Sequence, residues 1–159
     1  MKSTASFVAG LLVGAVVVAV AAAQTIGVRG VNHIGLVVAD YDAALAFYTK
    51  ALGIREAYTI RNEDGSVRLT YLQASRETFV ELIPAGPGQT PGITHFGIEV
   101  GDIDAIVEKL RRDGIQVADA GMTPAKARFT RLTDVDGIQI EVMEYGPDSL
   151  QRKAIDAWR

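Results

Sequence analysis

Two stretches of the chain carry the same alternation of apolar and polar positions, 62 residues apart. Val31-Asn32-His33-Ile34-Gly35-Leu36-Val37-Val38 leads into Asp40, Asp42 and Ala43, and Ile93-Thr94-His95-Phe96-Gly97-Ile98-Glu99-Val100 leads into Asp102, Asp104 and Ala105. Each opening is apolar and β-branched, which predicts a strand. Asp40 and Asp102 stand where helix N-caps belong. They predict helices over about Tyr41–Ala51 and Ile103–Arg112, stopped by Gly53 and Gly114. Three short strands are predicted after each helix: near Arg55–Arg61, Val67–Gln73 and Thr78–Pro84, then near Gln116–Ala118, Phe129–Thr133 and Gln139–Tyr145. Asn62-Glu63-Asp64-Gly65 and Asp134-Val135-Asp136-Gly137 read as hairpin turns. The pattern is two copies of one βαβββ unit, over about residues 30–84 and 92–145, joined by the Gly- and Pro-rich stretch Ala85–Gly92.

The two ends of the chain break this pattern. Phe7–Ala23 is an apolar run of about 17 residues behind Lys2, near the lower limit for a spanning helix. It ends Ala21-Ala22-Ala23, small residues that suit signal peptidase. Residues 1–23 are expected to be a signal peptide, or a signal anchor if uncleaved. Either places the domain of residues 24–147 outside the cytoplasm, in the periplasm or secreted, with membrane association only in the uncleaved case. Residues 148–159 predict a helical tail that packs on the sheet through Leu150, Ala154 and Trp158.

The chain has only two histidines, His33 and His95, and they occupy equivalent places in the repeat, each two residues before a glycine. A lone strand histidine is usually structural. Two at matched positions can meet if the halves pair with twofold symmetry. The last strand of each half carries a matched glutamate, Glu81 in Phe79–Ile83 and Glu141 in Gln139–Met143. Each glutamate alone also fits a water-facing position on an alternating strand. Buried, each costs several kcal/mol unless paired or bound to metal. As a symmetric set, His33, Glu81, His95 and Glu141 read as ligands of one divalent ion. Imidazole and carboxylate suit Zn, Ni, Co, Mn or Fe. Such an ion leaves positions for a substrate oxygen, and Glu81 or Glu141 can accept a proton from the adjacent carbon.

Composition narrows the chemistry. The chain has no cysteine, which excludes disulfides, thiol catalysis and Fe–S clusters. The net charge is −3 with no basic stripe, which argues against a nucleic-acid partner. Glu99 shares strand parity with His95 and can point the same way, although a solvated strand end is the simpler expectation. Phe79 and Met143 share parity with the glutamates and are expected to line a cavity. Arg55, Arg128 and Arg131 are candidates for orienting an anionic substrate, and nothing in the sequence chooses among them.

The matched segments, together with Ala46-Phe47-Tyr48-Thr49-Lys50-Ala51-Leu52-Gly53 and Asp134-Val135-Asp136-Gly137-Ile138-Gln139-Ile140-Glu141, resemble the vicinal oxygen chelate superfamily, the glyoxalase, bleomycin-resistance and dioxygenase group. The resemblance runs from about Gly30 to Tyr145, and Val135 replaces the proline usual between the two aspartates. It implies an α+β fold in which two tandem βαβββ modules form a curved mixed sheet, a cup around the metal. It implies ligand roles for His33, Glu81, His95 and Glu141. A full set of four resembles the glyoxalase I and methylmalonyl-CoA epimerase branches, so a metal-dependent lyase or isomerase acting on a small molecule is expected. An Fe(II) extradiol-type dioxygenase and a non-catalytic binding module are the alternatives. Family members often pair, so a homodimer is expected.

Overall fold

The alternation seen along the two openings becomes the centre of one eight-stranded sheet in the computed structural model, which describes residues 27–159. The expected signal segment lies outside the described residues. Among them, no helix is long and apolar enough to cross a membrane. The first module is β1 (Val28–Val38), α1 (Tyr41–Ala46, continuing as a π-helical turn over Phe47–Ala51), β2 (Arg55–Arg61), β3 (Val67–Gln73) and β4 (Phe79–Pro84). The second is β5 (Gly92–Val100), α2 (Ile103–Arg112), β6 (Gly121–Met122), β7 (Arg128–Thr133) and β8 (Gln139–Glu144), followed by α3 (Leu150–Asp156).

Strand order is β2-β3-β4-β1-β5-β8-β7-β6. Each module therefore places its first strand beside its last, in parallel, and the modules join where β1 meets β5 antiparallel. This is the tandem α+β architecture expected of a glyoxalase-like chain. The N-caps form as expected: Asp40 Oδ1 accepts from Ala43 N at 2.9 Å and Asp102 Oδ1 from Ala105 N at 3.0 Å. Helix α2 buries Ile103 and Ile106 against Val100 and Val142 on the outer face of the sheet. On the concave side Tyr71, Phe79, Ala127, Met143, Tyr145 and Ile155 form a second core.

Two expectations need correction. Residues Gln116–Ala118 form no strand; β6 is Gly121–Met122, paired to Phe129 and Arg128. The reason is local. The Val117 carbonyl accepts from Arg111 Nη2 (2.9 Å) and the Ala118 carbonyl from Thr130 Oγ1 (3.0 Å), so side chains take the acceptors that a ladder would use. In the tail, Ala154 packs against the core as expected and Leu150 is half-buried, but Trp158 is exposed, with the Arg55 guanidinium over its ring at 5.2 Å. The buried positions of α3 are Gln151 and Ile155.

Candidate metal centre

The pairing register brings the four sequence candidates together. On one line across the sheet, Glu81 of β4 faces Gly35 of β1, which faces His95 of β5. On the next line, His33 of β1 faces Gly97 of β5, which faces Glu141 of β8. Directly opposed residues share a face, so all four side chains project to the concave side. The His-x-Gly spacing is what allows this. A Cβ built on Gly35 would overlap the His95 ring, and one on Gly97 would overlap the His33 ring and the Asn32 amide oxygen. Each module's glycine makes room for the other module's imidazole.

His33, Glu81, His95 and Glu141 are all buried. His33 Nε2 and His95 Nε2 lie 3.1 Å apart. Glu81 Oε2 is 3.0 Å from His95 Nε2 and 3.9 Å from His33 Nε2. Glu141 Oε2 is 3.5 Å from His33 Nε2 and 3.8 Å from His95 Nε2. Metal–ligand bonds of about 2.0–2.2 Å place neighbouring ligand atoms about 3.0–3.6 Å apart in octahedral or tetrahedral arrangements, which is the scale of this cluster. The ligand atoms of His33, Glu81 and His95 all lie within 4.8 Å of one another, and Glu141 stands outside that group on the side of the two histidines.

The outer nitrogens assign the tautomers. His33 Nδ1 donates to Asn32 Oδ1 at 2.6 Å. His95 Nδ1 donates to Thr94 Oγ1 at 2.9 Å, and that hydroxyl donates to the Gly35 carbonyl at 3.3 Å. Both Nε2 atoms thus present lone pairs to the same point, in the arrangement by which proteins orient metal-bound imidazoles. Glu81 Oε2, buried, has no hydrogen-bond partner. Two facing lone pairs and two buried carboxylates repel one another unless a cation sits among them. The residues therefore fit a divalent ion. Substituting the orienting groups, Asn32→Ala or Thr94→Val, should weaken metal affinity about 10- to 100-fold with the four ligands intact, as measured by competition against a chromogenic chelator.

The two glutamates differ. Burial works to raise the Glu141 carboxyl, and the Arg131 guanidinium, which donates to its Oε1, works to lower it. Glu81 has no arginine partner. Burial, reinforced by nearby carboxylates, pushes the Tyr71 and Tyr145 hydroxyls well up, so both stay protonated.

A cavity of about 370 Å³ opens beside the centre, with Glu81, His95, Glu141 and Arg131 along its lining and Leu69, Ile83, Phe129 and Met143 supplying apolar walls. Met143 lines it as expected. Phe79 does not and belongs to the core behind. Of the three candidate arginines, Arg131 alone reaches the cavity. Arg128 pairs with Asp104 and Arg55 bonds Gln73. Arg68, Tyr58 and Gln151 also line it and were missed. The one signal for Gln151 was its spacing from Ile155, which puts a polar residue on the buried stripe of the tail helix. Glu99 is not solvated. It is buried, accepting from Arg29 Nη1 and Arg152 Nη2 at 2.9 Å each, which ties β5 to the start of β1 and to α3.

Comparison with known proteins identifies the family and the fold. The family model described as Glyoxalase/Bleomycin resistance protein/Dioxygenase superfamily matches residues 30–142. The Bacillus subtilis uncharacterized protein YwkD is 31% identical over 127 residues, 73% of this chain and 97% of that protein. The Escherichia coli uncharacterized protein YaeR is 28% identical, covering 75% of this chain and 98% of its own length. Among solved structures, methylmalonyl-CoA epimerase from Mycobacterium tuberculosis superposes with a TM-score of 0.68 at 27% identity, covering 77% of this chain and 92% of that one. A variant of the Streptomyces coelicolor epimerase bound to 2-nitronate-propionyl-CoA gives a TM-score of 0.63 at 22% identity, covering 77% and 98%. The chain belongs to the glyoxalase, bleomycin-resistance and dioxygenase superfamily.

Proposed function

We propose that this protein is an exported, metal-dependent lyase or isomerase of the glyoxalase type, which moves a proton next to a carbonyl or hydroxyl of a small substrate. The observation that carries the reading is the set of His33 Nε2, His95 Nε2, Glu81 Oε2 and Glu141 Oε2, aimed at one point by orienting hydrogen bonds on both rings. A bound divalent ion would supply Lewis acidity toward a substrate oxygen, lowering the pKa of the neighbouring C–H. Of the residues lining the cavity, only Glu81 and Glu141 carry carboxylates, so they are the candidate proton carriers. Glu81 is the better base. Its Oε2 makes no hydrogen bond, while Glu141 accepts from Arg131. Arg131 stands where it can pair with a substrate carboxylate, and the apolar walls keep water from the reacting carbon.

The epimerase likeness supports proton transfer but does not extend to the substrate. The cavity lining holds two cationic side chains, Arg68 and Arg131, among mainly apolar residues, which suits a small α-hydroxy or α-keto acid. In deuterated water, protein loaded with Zn, Ni, Co or Mn should exchange the C–H next to such a carbonyl, as followed by proton NMR. Glu81→Gln should abolish the exchange and keep most of the bound metal. Exchange that continues undiminished in Glu81→Gln would remove this residue from the role.

A homodimer is part of the same proposal. Val31, Ile34 and Ile93 are 54%, 39% and 74% exposed. Their cross-strand partners are Ile98, Phe96 and Leu36, so they lie on the outer face of the central strand pair. An apolar face of this kind marks an interaction surface. Light scattering should return twice the mass of the mature chain, and Ile34→Lys should shift it to the monomer.

A further inference from the structure

We propose that the part of the cavity beyond Tyr71, lined by Tyr58 of β2 and Gln151 of α3, binds a neutral hydroxyl group of the substrate. The protein would then favour α-hydroxy or α-keto acids with an apolar body and a distal hydroxyl. The inference rests on the metal-centred reading for the position of the chelating end of the ligand.

The observations are independent of the metal ligands. Gln151 is 1% exposed, and its Oε1 has no hydrogen-bond partner. The Tyr58 hydroxyl is likewise buried; it lies beside the Gln151 amide, which works against the effect of burial on its pKa, yet makes no well-formed hydrogen bond, and both residues line the cavity. Buried polar atoms are nearly always satisfied, so an adjacent pair on one cavity wall that leaves Gln151 Oε1 and the Tyr58 O–H without a well-formed bond points to a missing partner. Their place is set by the aromatic row. The His33 ring lies 5.4 Å from the Tyr71 ring, which stacks on Tyr58 at 5.0 Å, so Tyr58 stands one ring beyond Tyr71 as seen from the histidines.

Helix α3 holds Gln151 firmly in this position. Ser149 Oγ accepts from Arg152 N at 3.2 Å, and Leu150 N donates to the Ala125 carbonyl at 2.9 Å. Arg152 bonds Glu99, and Gln73 Nε2 donates to the Ala154 carbonyl at 3.2 Å. A side chain on so constrained an element is preorganised for a ligand.

The chemistry of the pair selects the group. Burial keeps the Tyr58 phenol protonated, so it offers a donor, and Gln151 Oε1 offers an acceptor. A hydroxyl accepts from the first and donates to the second. A carboxylate has no proton for Gln151 Oε1, and an ammonium cannot accept from Tyr58. Leu69, Phe129 and Met143, which also line the cavity, suit an apolar body.

The test uses two matched pairs of probes and the Zn-loaded protein, by titration calorimetry: 4-hydroxyphenyllactate against phenyllactate, and 2,6-dihydroxyhexanoate against 2-hydroxyhexanoate. In at least one pair the distal hydroxyl should tighten binding by about tenfold or more. Tyr58→Phe and Gln151→Leu should each reduce that preference to below about twofold and leave Zn affinity and the affinity of the deoxy probe unchanged. Tyr58→Phe removes one oxygen only, so it reports on binding even if Gln151→Leu disturbs α3. Equal affinity within both pairs, binding by none of the four probes, or a preference that survives both substitutions overturns the inference. Zn affinity measured in the same samples separates the two levels. Normal Zn binding without a hydroxyl preference refutes this subsite alone, whereas failure to bind Zn refutes the metal-centred reading beneath it.

Discussion

Replacing either histidine by alanine should remove most of the metal affinity, a loss beyond the 10- to 100-fold typical of an outer-shell partner, and replacing both should add little. The two imidazoles come from different modules, yet their Nε2 atoms are 3.1 Å apart. Groups that serve one ion are strongly non-additive. The fold should survive, because Leu72, Phe79, Val100, Leu82 and Val142 hold the sheet through fully buried apolar side chains. Without metal, His33→Ala and His95→Ala should even relieve repulsion between buried ligands. With Zn or Mn, the wild type should gain melting temperature by linkage, and the three variants should not. If a single variant keeps the full metal-induced shift, the histidines do not share an ion.

Adding one methyl group at Gly97 or Gly35 should have an effect nearly as large, from a residue that is not itself a ligand. In a strand, glycine to alanine ordinarily helps, because glycine has no side chain to pack and loses more entropy on folding. Here the sign should reverse. The new Cβ of Gly97→Ala lands in the His33 ring, and that of Gly35→Ala in the His95 ring. Neither ring can retreat without breaking its hydrogen bond to Asn32 or Thr94. Overpacking of this kind costs about 1–3 kcal/mol, and the displaced imidazole should cost the site its metal. Gly121→Ala is the control, since a Cβ there meets nothing within 4 Å. Denaturant melts and metal titration of the three variants give the comparison. Gly97→Ala protein that binds metal as the wild type does would show that the pairing of glycine with imidazole is incidental.

The parts of this molecule that were legible in the sequence are those written in local periodicity. Two runs of alternating residues, each ending in an aspartate cap, were enough to place β1, α1, β5 and α2. The matched His-x-Gly pairs and last-strand glutamates pointed to one cluster, because a duplicated unit brings equivalent strands together. What escaped depends on partners far along the chain. Glu99 looks solvated until Arg29 and Arg152, 70 and 53 residues away, are seen closing on it. The segment before β6 has strand-like residues, yet Arg111 and Thr130 claim its carbonyls. Gln151 belongs to a tail with no repeat counterpart, so symmetry gave no hint that it lines the cavity. Arg131 was one arginine among three equals until its contact with Glu141 distinguished it.

The most direct test of the metal centre is anomalous diffraction from crystals of the gently purified protein, with Zn, Ni, Co or Mn supplied, collected on either side of the metal edge. A single peak per chain is expected, bonded at about 2.0–2.2 Å to Nε2 of both His33 and His95 and to carboxylate oxygens of Glu81 and Glu141. No peak with any of the four metals, or a peak held by other residues while these four face one another without an ion, would contradict it.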